Sequence, residues 1–180
     1  SKEDAQIESV STFGCSPSYT LDADYGRSVV TGLCKPGDTR FRSAGFHVHQ
    51  ELKNPGTSEA AVAVLDGLLG LTDVLVNEAL GFTKAARKRR LTIGYGRAGE
   101  HRVRESSQGT TILEYRALSP WPMHSPALAE WVMRLTRKAA MQDSQILMGV
   151  LNNYPHRSEI MEAINQSNVG AAQDLLGECV

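Results

Sequence analysis

No apolar run in the 180-residue sequence approaches the roughly 18 residues that a membrane-crossing helix needs. The opening stretch, SKEDAQIESV, is charged and lacks the apolar core of a secretory leader, so a cytoplasmic setting is expected. Cysteine is scarce. Cys15, Cys34 and Cys179 make an odd number without C-x-x-C spacing, which favours reduced thiols over a disulfide framework. A Cys15–Cys34 bridge is the alternative. The formal net charge is −1, so global electrostatics single out no partner. There is no internal repeat and no low-complexity segment. With 41% hydrophobic residues the chain can build a core, and one domain over residues 13–180 is expected. Residues 1–12 are polar and are expected to be flexible or docked on a partner.

What is present reads as an α+β chain, an antiparallel sheet with packed helices. FGCSPSYTLDADYG (13–26) is rich in turn formers and predicts a loop. After the KPGD turn, TRFRSAGFHVHQEL (39–52) alternates as a strand does. Residues 58–80 carry Ala61, Val64, Leu65, Leu68, Leu69 and Leu71 at helical spacing. Thr57 or Ser58 would cap that helix, and Gly67 and Gly70 would let it approach a sheet closely. TTILEYRAL (110–118) predicts a second strand. Ser125 and Pro126 open a helix that should reach about residue 150. Two short helices are predicted near 157–166 and 168–177.

Side chains alternate faces along a strand, so His47, His49 and Glu51 should share one face. Glu114 and Arg116 should likewise share a face, opposite Leu113 and Tyr115. If the two strands belong to one sheet, the two polar faces can coincide. Imidazole, carboxylate and guanidinium would then suit a divalent metal holding a polyphosphate. The plainer alternative is a solvated sheet face with a Glu–Arg ion pair. GYGRAGEHR (94–102) interleaves glycines with arginines, a pattern that lets backbone and guanidinium meet an anion. No Gly-Lys-Ser/Thr follows, so it is not a P-loop, and it does not lead from a parallel strand into a helix as a dinucleotide fingerprint would. Residues 84–104 are strongly basic, with Glu100 the only acid, and nucleic-acid binding is a further reading of that stretch. No nucleophile stands out: Ser119, Ser125 and the cysteines have no legible His/Asp partner.

Taken in order, RSAGFHVHQEL, LDGLLGLTDVLV, RRLTIGYGRAGEHRVR, EYRALSPW and SPALAEWV resemble the phage-type carboxylate–amine ligases, or amidoligases, of the glutamine synthetase and glutamate–cysteine ligase superfamily. GFHVHQEL is also similar to the His-containing strand of glutamine synthetases. The likeness spans roughly residues 13–140. It implies a glutamine synthetase-like catalytic fold whose concave sheet face binds ATP with Mg (or Mn). ATP would phosphorylate a small-molecule or peptide carboxylate, and an amine would attack the acyl phosphate. By the same resemblance His47 and Glu114 would be metal ligands, and His49 would lie beside the nucleotide phosphates. Arg116 would contact the transferring phosphoryl group, Arg102 would hold phosphate, and Arg97 would assist.

The chain departs from that family in one respect. Such ligases begin with a strand resembling Gly-x-Asp-x-Glu-Phe and a further acidic strand, and neither motif is present here; Asp22 and Asp24 do not match it. The fold is therefore expected to be partial. A partner chain would supply the missing strands, or a preceding piece was cleaved away, or catalysis has been abandoned. The last case would leave a non-catalytic phage structural or interaction protein, in the host cytoplasm or the virion, and exposed strand edges would invite self-assembly.

Overall fold

The computed structural model describes residues 18–21, 27–30, 45–142 and 157–179. Residues 1–17, Cys15 among them, lie outside these, as does Cys34.

Among the described residues five strands form one antiparallel sheet: β1 (Ser18–Leu21), β2 (Arg27–Val30), β3 (Phe46–Glu51), β4 (His101–Glu105) and β5 (Thr111–Leu118), in the order β2-β1-β4-β5-β3. The chain is thus α+β with an antiparallel sheet and packed helices, as the alternation predicted. Three strands, β1, β2 and β4, were not anticipated. β1 falls in the stretch expected to be loop, where Tyr19 and Thr20, both good strand formers, pair with β2, and Tyr19 pairs with His101 of β4. β4 falls in the basic stretch, where the arginines hide the alternation of His101 and Val103 with Arg102 and Arg104.

The helix predicted over 58–80 forms as α1 (Ser58–Leu65), a widened π turn (Asp66–Gly70) and α2 (Leu71–Ala79), running on without a break in helical backbone. The hydroxyl of Thr57 does not cap it. It donates to the Asn54 carbonyl (2.7 Å) and closes the preceding turn. Gly70 does serve close approach: a Cβ there would lie 2.6 Å from Ile164 Cδ1 and 3.3 Å from the Tyr115 hydroxyl. After the short helix α3 (Thr83–Lys88) and the π turn Arg89–Ile93, the chain enters the glycine loop and β4.

α4 (Pro126–Ala140) starts as predicted, with Ser125 Oγ accepting from the Ala127 amide and Pro126 in the first turn. It ends at Ala140 rather than near 150. The Lys53 amide takes the Ala140 carbonyl (3.2 Å), satisfying one of the acceptors a helix end leaves open. α5 (Arg157–Gln166) and α6 (Val169–Cys179) complete the described chain close to where they were predicted.

One face of the sheet is apolar. Val48 of β3 and Leu113, Tyr115 and Ala117 of β5 pack on Ala61, Leu65 and Leu69, on Val132 and Ala139 of α4, and on Trp121. A second cluster joins Leu71 and Val74 of α2 to Ile160 and Ile164 of α5 and Ala172 and Leu175 of α6. The helices therefore cover one side of β3–β5, and the polar residues of those strands emerge on the other. Among the described residues no helix is long and apolar enough to cross a membrane.

Candidate functional site

β5 is flanked by β3 on one side and β4 on the other, and the register puts Glu114 directly between two polar residues. His49 of β3 is its partner on one side and Arg102 of β4 its partner on the other. Residues opposed across strands share a face, so the two polar faces read from the sequence do coincide. A β-bulge then sets His47. Between the pairs Val48–Tyr115 and Phe46–Leu118, β3 has one residue and β5 has two, Arg116 and Ala117. His47 is turned so that its Nδ1 lies 3.2 Å from Glu114 Oε1 and 3.4 Å from Arg116 Nη1.

Glu114 is the hub. Arg116 Nη1 donates to its Oε1, and Arg104 Nη2 donates to its Oε2 at 3.1 Å. Arg102 Nη1 is 3.6 Å from Oε1. The carboxylate is 2% exposed, and burial by itself would raise its pKa; the hydrogen bond and charge of Arg116 and the charge of Arg102 outweigh that and hold it below the ordinary value. It is ionised at neutral pH. His47 goes the other way. Burial, then the charges of Arg116 and Arg102, push its pKa down to about 4 against the pull of Glu114, leaving the imidazole neutral. Three guanidiniums, Arg102, Arg104 and Arg116, thus face two carboxylates, Glu114 and Glu100, so this cluster carries one surplus positive charge, with the exposed carboxylate of Glu51 further along the same face.

The glycine loop behaves differently from the expectation. Gly94, Gly96 and Gly99 all take positive φ, the left-handed backbone that glycine adopts at little cost. The loop turns its Gly96 and Arg97 amides onto Glu100 Oε2, at 3.2 Å for Arg97. The cradle holds an anion, but the anion is the chain's own. The other oxygen of Glu100 faces Arg116 Nε at 3.5 Å, and the Glu100 carbonyl accepts from the Arg116 amide at 2.9 Å. Glu100, 1% exposed, therefore ties the loop to the arginine. Arg97 donates its Nε to the Arg90 carbonyl at 2.9 Å, bracing the loop rather than meeting Glu114.

The basic stretch also divides. Lys84, Arg87 and Lys88 are exposed on α3. Arg89 and Arg90 are buried. Arg89 donates to the Leu118 and Ala117 carbonyls, both at 2.9 Å, and its burial lowers its pKa to about 10. Arg90 pairs with Asp73 and donates to the Ile164 carbonyl at 2.8 Å. Two of the charges that made this stretch read as one basic patch are internal supports.

Of the residues predicted for the site, His47, Glu114, Arg102 and Arg116 come together. His49 shares their face but is exposed, and Glu51 lies further out opposite Ile112. Besides Arg104, which donates to Glu114, two residues were missed. Tyr95 places its hydroxyl against His47 Nε2, with the Arg116 guanidinium carbon 5.5 Å and that of Arg89 5.8 Å from its ring centroid. Glu100 is the second. Both stand inside GYGRAGEHR, where the glycines and arginines drew attention away from them.

A divalent ion fits this arrangement poorly. Among the described residues no three of His, Cys, Asp and Glu stand close enough to share a metal. The Glu114 oxygens are taken by guanidiniums, and the His47 nitrogens face Tyr95 and Glu114. No family model matches the chain, and neither the curated proteins nor the solved structures yield a match.

Proposed function

We propose that the β3–β5 face binds a phosphate-bearing anion, and that the chain serves ATP-dependent carboxylate–amine ligation, as an amidoligase or as part of one. The supporting observation is the meeting of Arg102, Arg104 and Arg116 around Glu114 on one sheet face. Guanidinium forks match phosphate oxygens, and phosphoryl transfer needs charge neutralisation and positioning more than a nucleophilic side chain. In this reading Arg102 and Arg116 hold the polyphosphate and neutralise charge as it moves. Glu114 fixes the splay of the guanidiniums, and His49 stands at the solvent edge beside them. The glutamine synthetase-like identity of the sheet and a cytoplasmic place of work belong to the same proposal.

Magnesium or manganese would enter with the nucleotide. Because the described residues offer it no set of carboxylates, this reading needs them from residues outside that set or from a partner chain. A second reading has an observation of its own in favour. Glu114 is already satisfied by the chain's own arginines, which suits a non-catalytic structural or interaction protein built on the same fold.

Thermal melts separate the two. Mg-ATP, and pyrophosphate without metal, should each stabilise the protein, by about 2.7 kcal/mol at roughly 100 times the dissociation constant. Arg102→Ala should lose the ligand-induced shift, whereas Arg87→Ala and Lys88→Ala should keep it. No shift from either anion would overturn the ligase reading and leave the structural one.

A further inference from the structure

We propose that the turn between α2 and α3, with the outer face of α3, docks on an anionic phospholipid surface. Leu80 and Phe82 would enter the boundary between headgroups and acyl chains, and Lys84, Arg87 and Lys88 would meet the lipid phosphates. The residues from Glu78 to Phe82 are exposed one after another, so the turn is convex. Leu80 is 42% and Phe82 49% exposed, and Leu91, on the next turn of backbone, is 37% exposed.

The turn is rigid before anything docks on it. α2 ends with the Phe82 amide on the Asn77 carbonyl (2.6 Å) and the Gly81 amide on the Glu78 carbonyl (2.9 Å), with Gly81 at a φ of 76°. In helix ends of this kind the residue after the glycine usually packs on an apolar side chain at the position Asn77 occupies. Asn77 is polar, and its amide is turned inward to Asp73 and Ser119. Phe82 therefore has its backbone pinned and its ring half in water. Its carbonyl then accepts from the Ala86 amide (2.9 Å) and starts α3. Docking has little backbone left to order.

The cations stand beside this tip. Lys84, Arg87 and Lys88 are three and four residues apart and share one exposed face of α3, with Leu91 four residues on from Arg87. Ala86, Arg89 and Arg90 are buried on the other side, where the two arginines are tied to Leu118 and Asp73. Arg87 donates to the neutral Gln166 side chain (3.1 Å), which leaves its charge uncompensated. Glu78 is the only acid from 78 to 92, and it accepts from the Thr83 hydroxyl. The tip thus combines surplus positive charge with protruding apolar side chains. Nucleic acid would attract the cations but give Leu80 and Leu91 nothing to enter. An acidic protein would need a groove shaped to this turn. A bilayer boundary accepts convex apolar side chains and supplies a continuous negative field. This contact goes beyond the anion site proposed above and uses none of its arginines.

The test sediments the full chain with two kinds of vesicle, phosphatidylcholine alone and phosphatidylcholine mixed with phosphatidylserine. Binding to the anionic vesicles should be tighter by roughly tenfold or more, and added salt should weaken it. The double variant Lys84→Glu/Lys88→Glu should fall to the level of the neutral vesicles. Phe82→Ser should weaken binding to the anionic vesicles by roughly tenfold while the melting temperature holds, and Leu80→Ser reads the same insertion independently. Pyrophosphate should displace the protein from vesicles no more than sulfate at equal ionic strength. Equal binding to both vesicle types, or anionic binding untouched by the double variant, would overturn the proposal. So would anionic binding kept in full by both Phe82→Ser and Leu80→Ser, since charge alone would then explain it. Specific displacement by pyrophosphate would move the lipid contact to the arginine-lined sheet face. Tight binding of duplex DNA or polyglutamate, with none to vesicles, would give this surface another partner and discard the membrane.

Discussion

Asp73 of α2 and Arg90, just beyond α3, meet in the interior as an ion pair whose side chains are both wholly withdrawn from solvent. Asp73 also accepts from the Ser119 amide (2.7 Å), Trp121 Nε1 (2.7 Å) and Asn77 Nδ2 (2.8 Å). The pair joins the helix layer to the chain leaving β5, and Arg90 carries the connection on to Ile164 of α5.

Removing one partner of a buried pair strands the other charge. Asp73→Asn keeps the shape and should cost about 3–5 kcal/mol. Urea unfolding measures it; a loss under about 1 kcal/mol would mean that the neutral amide replaces the carboxylate adequately.

Glu114→Gln distinguishes a hub among arginines from a metal ligand. The substitution removes one negative charge from a face already rich in guanidiniums. Pyrophosphate binding without metal should tighten or hold, while the melting temperature falls as the ion pairs are lost. Calorimetric titration reads the affinity. Weaker pyrophosphate binding in a folded Glu114→Gln variant would contradict the cationic-face account.

Asp66 gives a pH dependence of definite sign. It is buried beneath the sheet, and burial raises its pKa from 3.8 to about 7, partly opposed by hydrogen bonds from the Tyr115 hydroxyl (2.8 Å) and the Gly99 backbone. Because the folded value lies above the unfolded one, the contribution is fully present below about pH 4 and is lost as pH rises through 7. Asp66→Asn should therefore gain stability relative to wild type between pH 4 and 8, by about 4 kcal/mol at most. His47 and Glu114, whose pKa values are lowered, act in the opposite sense on the acid side, so the difference between variant and wild type is the quantity to follow. A constant difference across that range would argue against a buried, proton-binding Asp66.

Gly96→Ala and Gly109→Ala form a matched pair. Both glycines have positive φ, 74° and 76°. A Cβ on Gly109 would meet nothing within 4 Å, whereas one on Gly96 would lie 2.6 Å from the Arg89 guanidinium carbon. Gly109→Ala should cost only the backbone strain, about 1–2 kcal/mol. Gly96→Ala should cost more, by about 1–3 kcal/mol, because Arg89 is fixed by the Ala117 and Leu118 carbonyls. Equal losses would mean that Arg89 moves aside freely.

The sequence by itself determined what is local. A period of two assigned His47 and His49 to one face of β3, and Glu114 and Arg116 to one face of β5. A period near 3.6 located the helix from Ser58 to Ala79, and the Ser125-Pro126 start placed α4. These patterns are legible because each records one element burying one side. Tertiary structure alone decided which residues meet. Arg102 faces Glu114 only because β4 pairs with β5 in one register, and a shift of a single residue would turn it to the other face. The basic stretch divided because burial of Arg89 and Arg90 is repaid by acceptors remote in sequence, Leu118, Asp73 and Ile164. Tyr95 stayed hidden for the same reason. Its partner lies 48 residues earlier, and only loop closure brings phenol and imidazole together.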